Sequence, residues 1–223
     1  MTDFEQLGVG DASYRAYSSI PAGASAGVVL LHAWWGLNDD VIAYANRLAD
    51  AGYGVLAPDM FKGQVTAEIA EAERLSGEGD ASNPEKIAFD AVDRLAERLP
   101  ASAPIATAAF SFGGPYAMWT PSERPSVVAT VVYYGAWAGP WVTESKAPLL
   151  GHFAEDDPFT SADEVAEVET AFKGAGREMT SHVYPGTKHW FAEPSRPEYD
   201  PEAAQLAYDR TIAFLNEHLR KPD

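Results

Sequence analysis

Ile105-Ala106-Thr107-Ala108-Ala109-Phe110-Ser111-Phe112-Gly113-Gly114 is the stretch that decides the fold. An apolar run stops abruptly at a serine. Phenylalanine and two glycines follow, and then the helix-compatible Tyr116-Ala117-Met118-Trp119. Strand, sharp turn and helix in that order form a nucleophile elbow, with the serine at the tip. The turn forces the serine backbone into a strained conformation, so the residues two before and two after it must be small. Ala109 and Gly113 meet that need.

Outward from the elbow, short apolar runs alternate with helical patterns, the signature of an α/β chain with a mostly parallel sheet. Strands are expected at Tyr14–Tyr17, Val28–His32, Tyr53–Ala57, Ile105–Phe110, Val127–Tyr134, Ala147–Phe153 and Thr180–Tyr184. A helix capped by Asn38 or Asp39 carries Val41, Tyr44, Ala45, Leu48 and Ala49 at helical spacing and ends at Gly52. Further helices are expected at Thr66–Leu75, Pro84–Leu99, Ser161–Ala175 and Glu202–Leu219, with a turn over Gly77–Asn83. The last helix offers Ala203, Leu206, Ala207, Ile212, Phe214, Leu215 and Leu219 to a buried face. No repeat or linker divides the 223 residues, which are read as one domain spanning 1–223.

Composition narrows the function. The net charge of −17 argues against nucleic acid and anionic membranes as partners, and makes a strongly anionic substrate unnatural. The absence of cysteine excludes disulfides, thiolate metal sites and a cysteine nucleophile. The first residues, Met1-Thr2-Asp3-Phe4-Glu5, do not read as a signal peptide, and no apolar run approaches the roughly 18 residues of a membrane span. The expectation is a cytoplasmic protein, monomeric or a small homo-oligomer.

A serine hydroxyl needs a base to become a nucleophile, and the base needs an orienting carboxylate. In a doubly wound sheet both sit on loops at the carboxyl ends of strands. Of the five histidines, His218 falls on the last helix, and His152 and His182 fall inside strands. His32 ends an early strand and reads as support for the loop that follows it. His189 lies in the loop after the last strand and is the candidate base. The acid is sought after the strand at Ala147–Phe153, where Asp157 is favoured over Asp156, giving the order Ser111, Asp157, His189. Two backbone N–H groups must face the developing oxyanion. Phe112 supplies one, directly after the nucleophile, and Trp34 in the loop after His32 is taken for the other. Aromatic residues gather at loop ends (Trp34, Trp35, Trp119, Trp137, Trp141, Trp190, Phe191). Trp35 and Trp190 are taken as substrate-binding walls.

At this point the chain resembles the dienelactone hydrolase family of the α/β-hydrolase superfamily, from about Val28 to Leu219. The landmarks are His32-Ala33-Trp34-Trp35-Gly36-Leu37-Asn38, Ala57-Pro58-Asp59-Met60-Phe61, the Ser111 elbow, Tyr133-Tyr134-Gly135, Asp157-Pro158-Phe159 and Gly186-Thr187-Lys188-His189-Trp190-Phe191-Ala192. The resemblance implies an α/β-hydrolase fold with helices on both faces of a twisted sheet, no large lid, and cofactor-free hydrolysis of a small ester or lactone. Three positions depart from the family pattern. Ser111 stands where the family carries cysteine, Ala33 where it carries a glutamate, and Glu193 near its substrate-binding arginine. The last change speaks against an anionic lactone. Acyl transfer or perhydrolysis on the same triad, and a non-catalytic binding scaffold, are the rival readings.

Overall fold

The computed structural model describes residues 2–9, 12–77, 83–135, 137 and 139–220. Among them, eight strands form one sheet: β1 (Thr2–Val9), β2 (Ala12–Ser19), β3 (Gly27–Leu31), β4 (Gly54–Pro58), β5 (Ile105–Phe110), β6 (Val127–Tyr133), β7 (Leu149–Asp156) and β8 (Met179–Lys188). Their order is β1-β2-β4-β3-β5-β6-β7-β8. β1 and β2 run antiparallel at one edge, and the strands from β4 to β8 are parallel. The helices are α1 (Asp39–Asp50), α2 (Ile69–Gly77), α3 (Pro84–Ala96), α4 (Gly114–Glu123), α5 (Ala162–Gly174) and α6 (Pro201–Leu219).

The unbroken apolar runs reflect burial on both faces of the sheet. Along β3, Val28 and Leu30 join the core under α1 and α6, while Val29 and Leu31 join the core under α3 and α4. A third cluster packs Val165, Val168 and Phe172 of α5 over Val132, Leu149 and Phe153. The Asn38 side chain caps α1 by accepting from the Val41 N–H, and the buried face of α1 is the one expected: Val41, Tyr44, Ala45, Leu48 and Ala49. Gly52, at φ 98°, turns the chain out of the helix.

Several boundaries differ from the sequence reading, each for a physical reason. β1 has no clear alternation of apolar and polar residues, and its Phe4 is exposed. It is a strand because it pairs along its whole length with β2 and because Glu5 is bridged by Arg98. On α6 the buried stripe is Ala204, Ala207, Thr211, Leu215 and Leu219, whereas Leu206 is 46% exposed. The stripe is centred on a polar residue: the Thr211 hydroxyl meets Tyr133 Oη and His152 Nε2 in the core, so counting only apolar residues misplaces the face. α2 begins at Ile69 rather than Thr66, because the Thr66 hydroxyl accepts the Glu68 N–H ahead of the helix. Most of the turn expected over Gly77–Asn83 lies outside the described residues.

The longer β8 matters most for function. It continues through Pro185 and Gly186, and the five residues from Tyr184 to Lys188 span only three on β7, from Ala154 to Asp156. Gly186, at φ 72°, makes this irregularity, and its N–H donates to Glu155 Oε2 at 2.8 Å. Pairing resumes at Asp156 and Lys188. The first residues beyond the two strands are Asp157 and His189.

Candidate active site

The ends of β5, β6, β7 and β8 and three glycines build the site. Ser111 follows β5 with φ 43°, and Tyr134 follows the neighbouring β6 with φ 39°. Positive φ is uncommon for residues other than glycine and gathers at functional sites. The elbow can form because backbone meets backbone without side chains between. A Cβ on Gly113 would lie 2.8 Å from Leu31 Cβ and 3.0 Å from the His32 carbonyl. One on Gly114 would run into the Gly135 carbonyl oxygen, and one on Gly135 into the Ser111 carbonyl oxygen. Gly135→Ala is therefore expected to destabilise the fold by about 2–3 kcal/mol, in the upper part of the range for overpacking, because backbone cannot yield as a side chain can. A denaturant melt measures this, and an unchanged midpoint would contradict the close packing.

The structure brings Ser111, His189 and Asp157 together. Ser111 Oγ is 2.8 Å from His189 Nε2. His189 Nδ1 is 2.8 Å from Asp157 Oδ1 and 2.7 Å from Oδ2. The same Oδ1 accepts the N–H groups of Phe159 at 2.8 Å and Thr160 at 2.9 Å. The carboxylate is an acceptor only, so the imidazole proton sits on Nδ1 and the Nε2 lone pair faces the serine hydroxyl. The His189 and Asp157 side chains are 3% and 2% exposed, which shields the pair from water. Asp156 ends β7 with its side chain in solvent.

His32 lies behind the loop that carries Trp34. Its Nδ1 is 2.6 Å from the Ala33 carbonyl, and its Nε2 accepts the Met60 N–H at 3.0 Å. Burial pushes its pKa down, consistent with a neutral ring that donates from Nδ1 and accepts at Nε2. The Ala33 carbonyl belongs to the peptide whose N–H is that of Trp34. Fixing the carbonyl toward His32 thus turns that N–H the opposite way, since a trans peptide is planar. The remaining histidines serve elsewhere: His152 bonds Tyr184 Oη and Thr211, His182 stacks near His152, and His218 packs on Phe214.

A cleft of about 260 Å³ opens onto Ser111 and His189. Its walls are Trp34, Phe112, Tyr134, Trp137 and Phe159, with Ser76, Gly135 and Thr160 completing the lining, and none of these is Lys or Arg. Trp35 and Trp190, expected as walls, do not line it. Trp35 is fully buried and Trp190 is 5% exposed. They form a second layer, with Trp190 stacked 6.0 Å behind Trp34 and the Arg196 guanidinium 3.9 Å over Trp35. Nor does Trp119 or Trp141 reach the cleft; they stack on each other at 5.9 Å. The sequence reading missed Phe159, Thr160, Tyr134 and Ser76 as lining residues. Phe159 and Thr160 could have been found, because a loop that wraps the acid must also pass the base. Ser76 could not, since only packing brings the end of α2 here.

The family model described as the dienelactone hydrolase family matches residues 14–219. The chain belongs to this family. Among its relatives is Protein usf of Aquifex pyrophilus, 30% identical over 233 aligned residues that cover 98% of each chain. A protein of Aquifex aeolicus that carries the name carboxymethylenebutenolidase is 28% identical, over 99% of each chain. A dienelactone hydrolase-like promiscuous phosphotriesterase from metagenomic libraries superposes with a TM-score of 0.85 at 20% identity, covering 98% of each chain. That likeness is one of fold, and it agrees with the open α/β-hydrolase sheet described above. Among the described residues, no helix of this dienelactone hydrolase family member is long and apolar enough to cross a membrane.

Proposed function

We propose that this family member is a serine hydrolase that cleaves small, uncharged carboxylic esters or lactones through an acyl-enzyme on Ser111. The observation that carries the reading is the unbroken chain of contacts from Ser111 Oγ through His189 to Asp157. His189 Nε2 takes the serine proton as Oγ attacks the substrate carbonyl, and Asp157 stabilises the imidazolium that results. The tetrahedral oxyanion sits against the N–H groups of Phe112 and Trp34. Collapse expels the alcohol, which receives its proton from His189. Water, deprotonated by the same nitrogen, then attacks the acyl group, and the second tetrahedral species releases the acid and restores Ser111.

Two features support an uncharged substrate. The cleft is walled by aromatic rings, and among the described residues no Lys or Arg lines it. Where the family holds its substrate carboxylate with arginine, the nearby position is Glu193, 1% exposed. A substrate carboxylate in such a cleft would lose hydration without gaining a partner. For a pair of esters with one leaving group, kcat/KM for the neutral acyl chain is expected to exceed that for its carboxylate-bearing counterpart by about thirty-fold, or about 2 kcal/mol. Equal rates would remove the charge preference. The covalent step is tested by reaction with a fluorophosphonate and peptide mass spectrometry. Modification on the peptide bearing Ser111 is expected. A folded, unmodified protein would favour a binding scaffold instead.

A further inference from the structure

Glu193 is a buried acid that the mechanism above does not use. It sits in the turn that begins at His189: its N–H donates to the Trp190 carbonyl and its own carbonyl accepts from Arg196 N–H. Its Oε1 accepts the Tyr134 hydroxyl at 3.0 Å. Its Oε2 is enclosed and meets no hydrogen-bond partner among the described residues. With one oxygen bonded and the other enclosed without a partner, the neutral acid costs less to bury there than the ionised carboxylate would.

Tyr134 is the residue through which this acid reaches the site. Its ring lies against the His189 imidazole, with centroids 4.8 Å apart. Its backbone N–H donates to the His152 carbonyl at 2.7 Å, and its carbonyl accepts the Thr160 hydroxyl at 3.1 Å. Thr160 in turn donates its N–H to Asp157. One tyrosine therefore abuts the base with its ring and steadies the acid's loop with its carbonyl. Its hydroxyl, at the far end of the ring, is held by Glu193.

We propose that Glu193 is a positioning residue for His189, acting by holding the Tyr134 ring in place against the imidazole. The inference rests on the proposed hydrolase mechanism, in which His189 must stay in register with Ser111. Glu193 is uncharged in the working form. Burial pushes its pKa up to about 8, the Tyr134 hydroxyl and Arg196 oppose that rise, and the charges of Asp40 on α1 and of Glu198 add to it. Above that pH the carboxylate is enclosed without a full set of donors, and relief requires the carboxyl or its turn to shift. Because the turn carries His189, such a shift moves the base away from Ser111.

The experiment compares wild type, Glu193→Gln, Glu193→Ala and Tyr134→Phe in two readouts across about pH 6–10: the rate of fluorophosphonate labelling of Ser111, and the imidazole NMR signals of His189. Wild type is expected to lose about ten-fold in labelling rate as the pH passes the value of about 8 at which Glu193 ionises. Glutamine keeps the acceptor for Tyr134 and cannot ionise, so Glu193→Gln should lack that loss and label faster than wild type at high pH. Glu193→Ala and Tyr134→Phe should be about ten-fold slower already at neutral pH, with glutamine restoring most of the rate. In wild type the His189 signals should show an inflection near the pH at which Glu193 ionises, and that inflection should be missing in Glu193→Gln. A purely structural acid would change thermal stability and leave the pH profile as it was. The proposal is overturned if Glu193→Gln keeps the wild-type pH profile in both readouts, or if folded Tyr134→Phe labels like wild type. If wild type is not labelled at all, the hydrolase reading fails. The NMR titration then still decides whether Glu193 and His189 are coupled, by the presence or absence of that inflection.

Discussion

Ser111→Ala is expected to lower ester hydrolysis by about four to six orders of magnitude in kcat, while the folded protein persists. The alanine removes the nucleophile and the contact to His189 Nε2, and little else. The elbow's geometry depends on Gly113, Gly114 and Gly135 and on the pairing of β5 with β3 and β6, none of which involves the hydroxyl. The change in folding free energy should thus stay near that of one hydrogen bond, about 1 kcal/mol. Residual catalysis would come from the amides of Phe112 and Trp34 and from substrate binding. Progress curves on a neutral ester, with circular dichroism as the control for folding, measure both quantities. Turnover within a hundredfold of wild type would remove Ser111 from the mechanism.

The second large effect is expected at Asp157. Its Oδ1 is held by two backbone N–H groups, those of Phe159 and Thr160, so in Asp157→Asn the amide oxygen must take that place. The amide NH₂ then occupies the position of Oδ2, 2.7 Å from His189 Nδ1. A donor there demands that Nδ1 be an acceptor, and the ring proton moves to Nε2. The nitrogen facing Ser111 then has no lone pair with which to accept the hydroxyl proton. A loss of about 10⁴ in kcat follows from that tautomer alone, with KM nearly unchanged. Asp156→Asn is the internal control. Its side chain is exposed at the end of β7, and activity should stay within about twofold of wild type. A large loss at Asp156 with little at Asp157 would reverse the assignment of the acid.

The legible part of this molecule was carried by local pattern. Strands buried on both faces leave continuous apolar runs, and β3 to β7 could be read from them despite ragged ends. The α1 face could be read because its apolar spacing has one solution. The elbow was legible for a similar reason: a strand that stops at Ser-Phe-Gly-Gly leaves few conformations open. What escaped were features made by partners. β1 depends on β2, the α6 stripe depends on Thr211 meeting His152 and Tyr133, and Trp35 and Trp190 sit behind the cleft because Trp34 and Phe159 stand in front of them. A tryptophan beside the base in sequence need not face the substrate. Trp190, at φ 69°, is turned away from the cleft by the backbone that lets His189 enter it.

The order along the chain of a serine, an acidic pair and a histidine, each just beyond a strand, could be read from the sequence alone. Periodicity and turn chemistry act over a few residues, and both can be read along the chain. Only the tertiary structure decided which acid meets the base. Asp156 and Asp157 are adjacent, and locally only the Asp157-Pro158 step favours the second over the first. The extra residues around Gly186 shift β8 against β7 until Lys188 pairs with Asp156, so that His189 falls beside Asp157. Only the tertiary structure, too, buried Glu193 beneath Tyr134, because enclosure of a carboxyl by residues 59 positions away is invisible to any reading of neighbours.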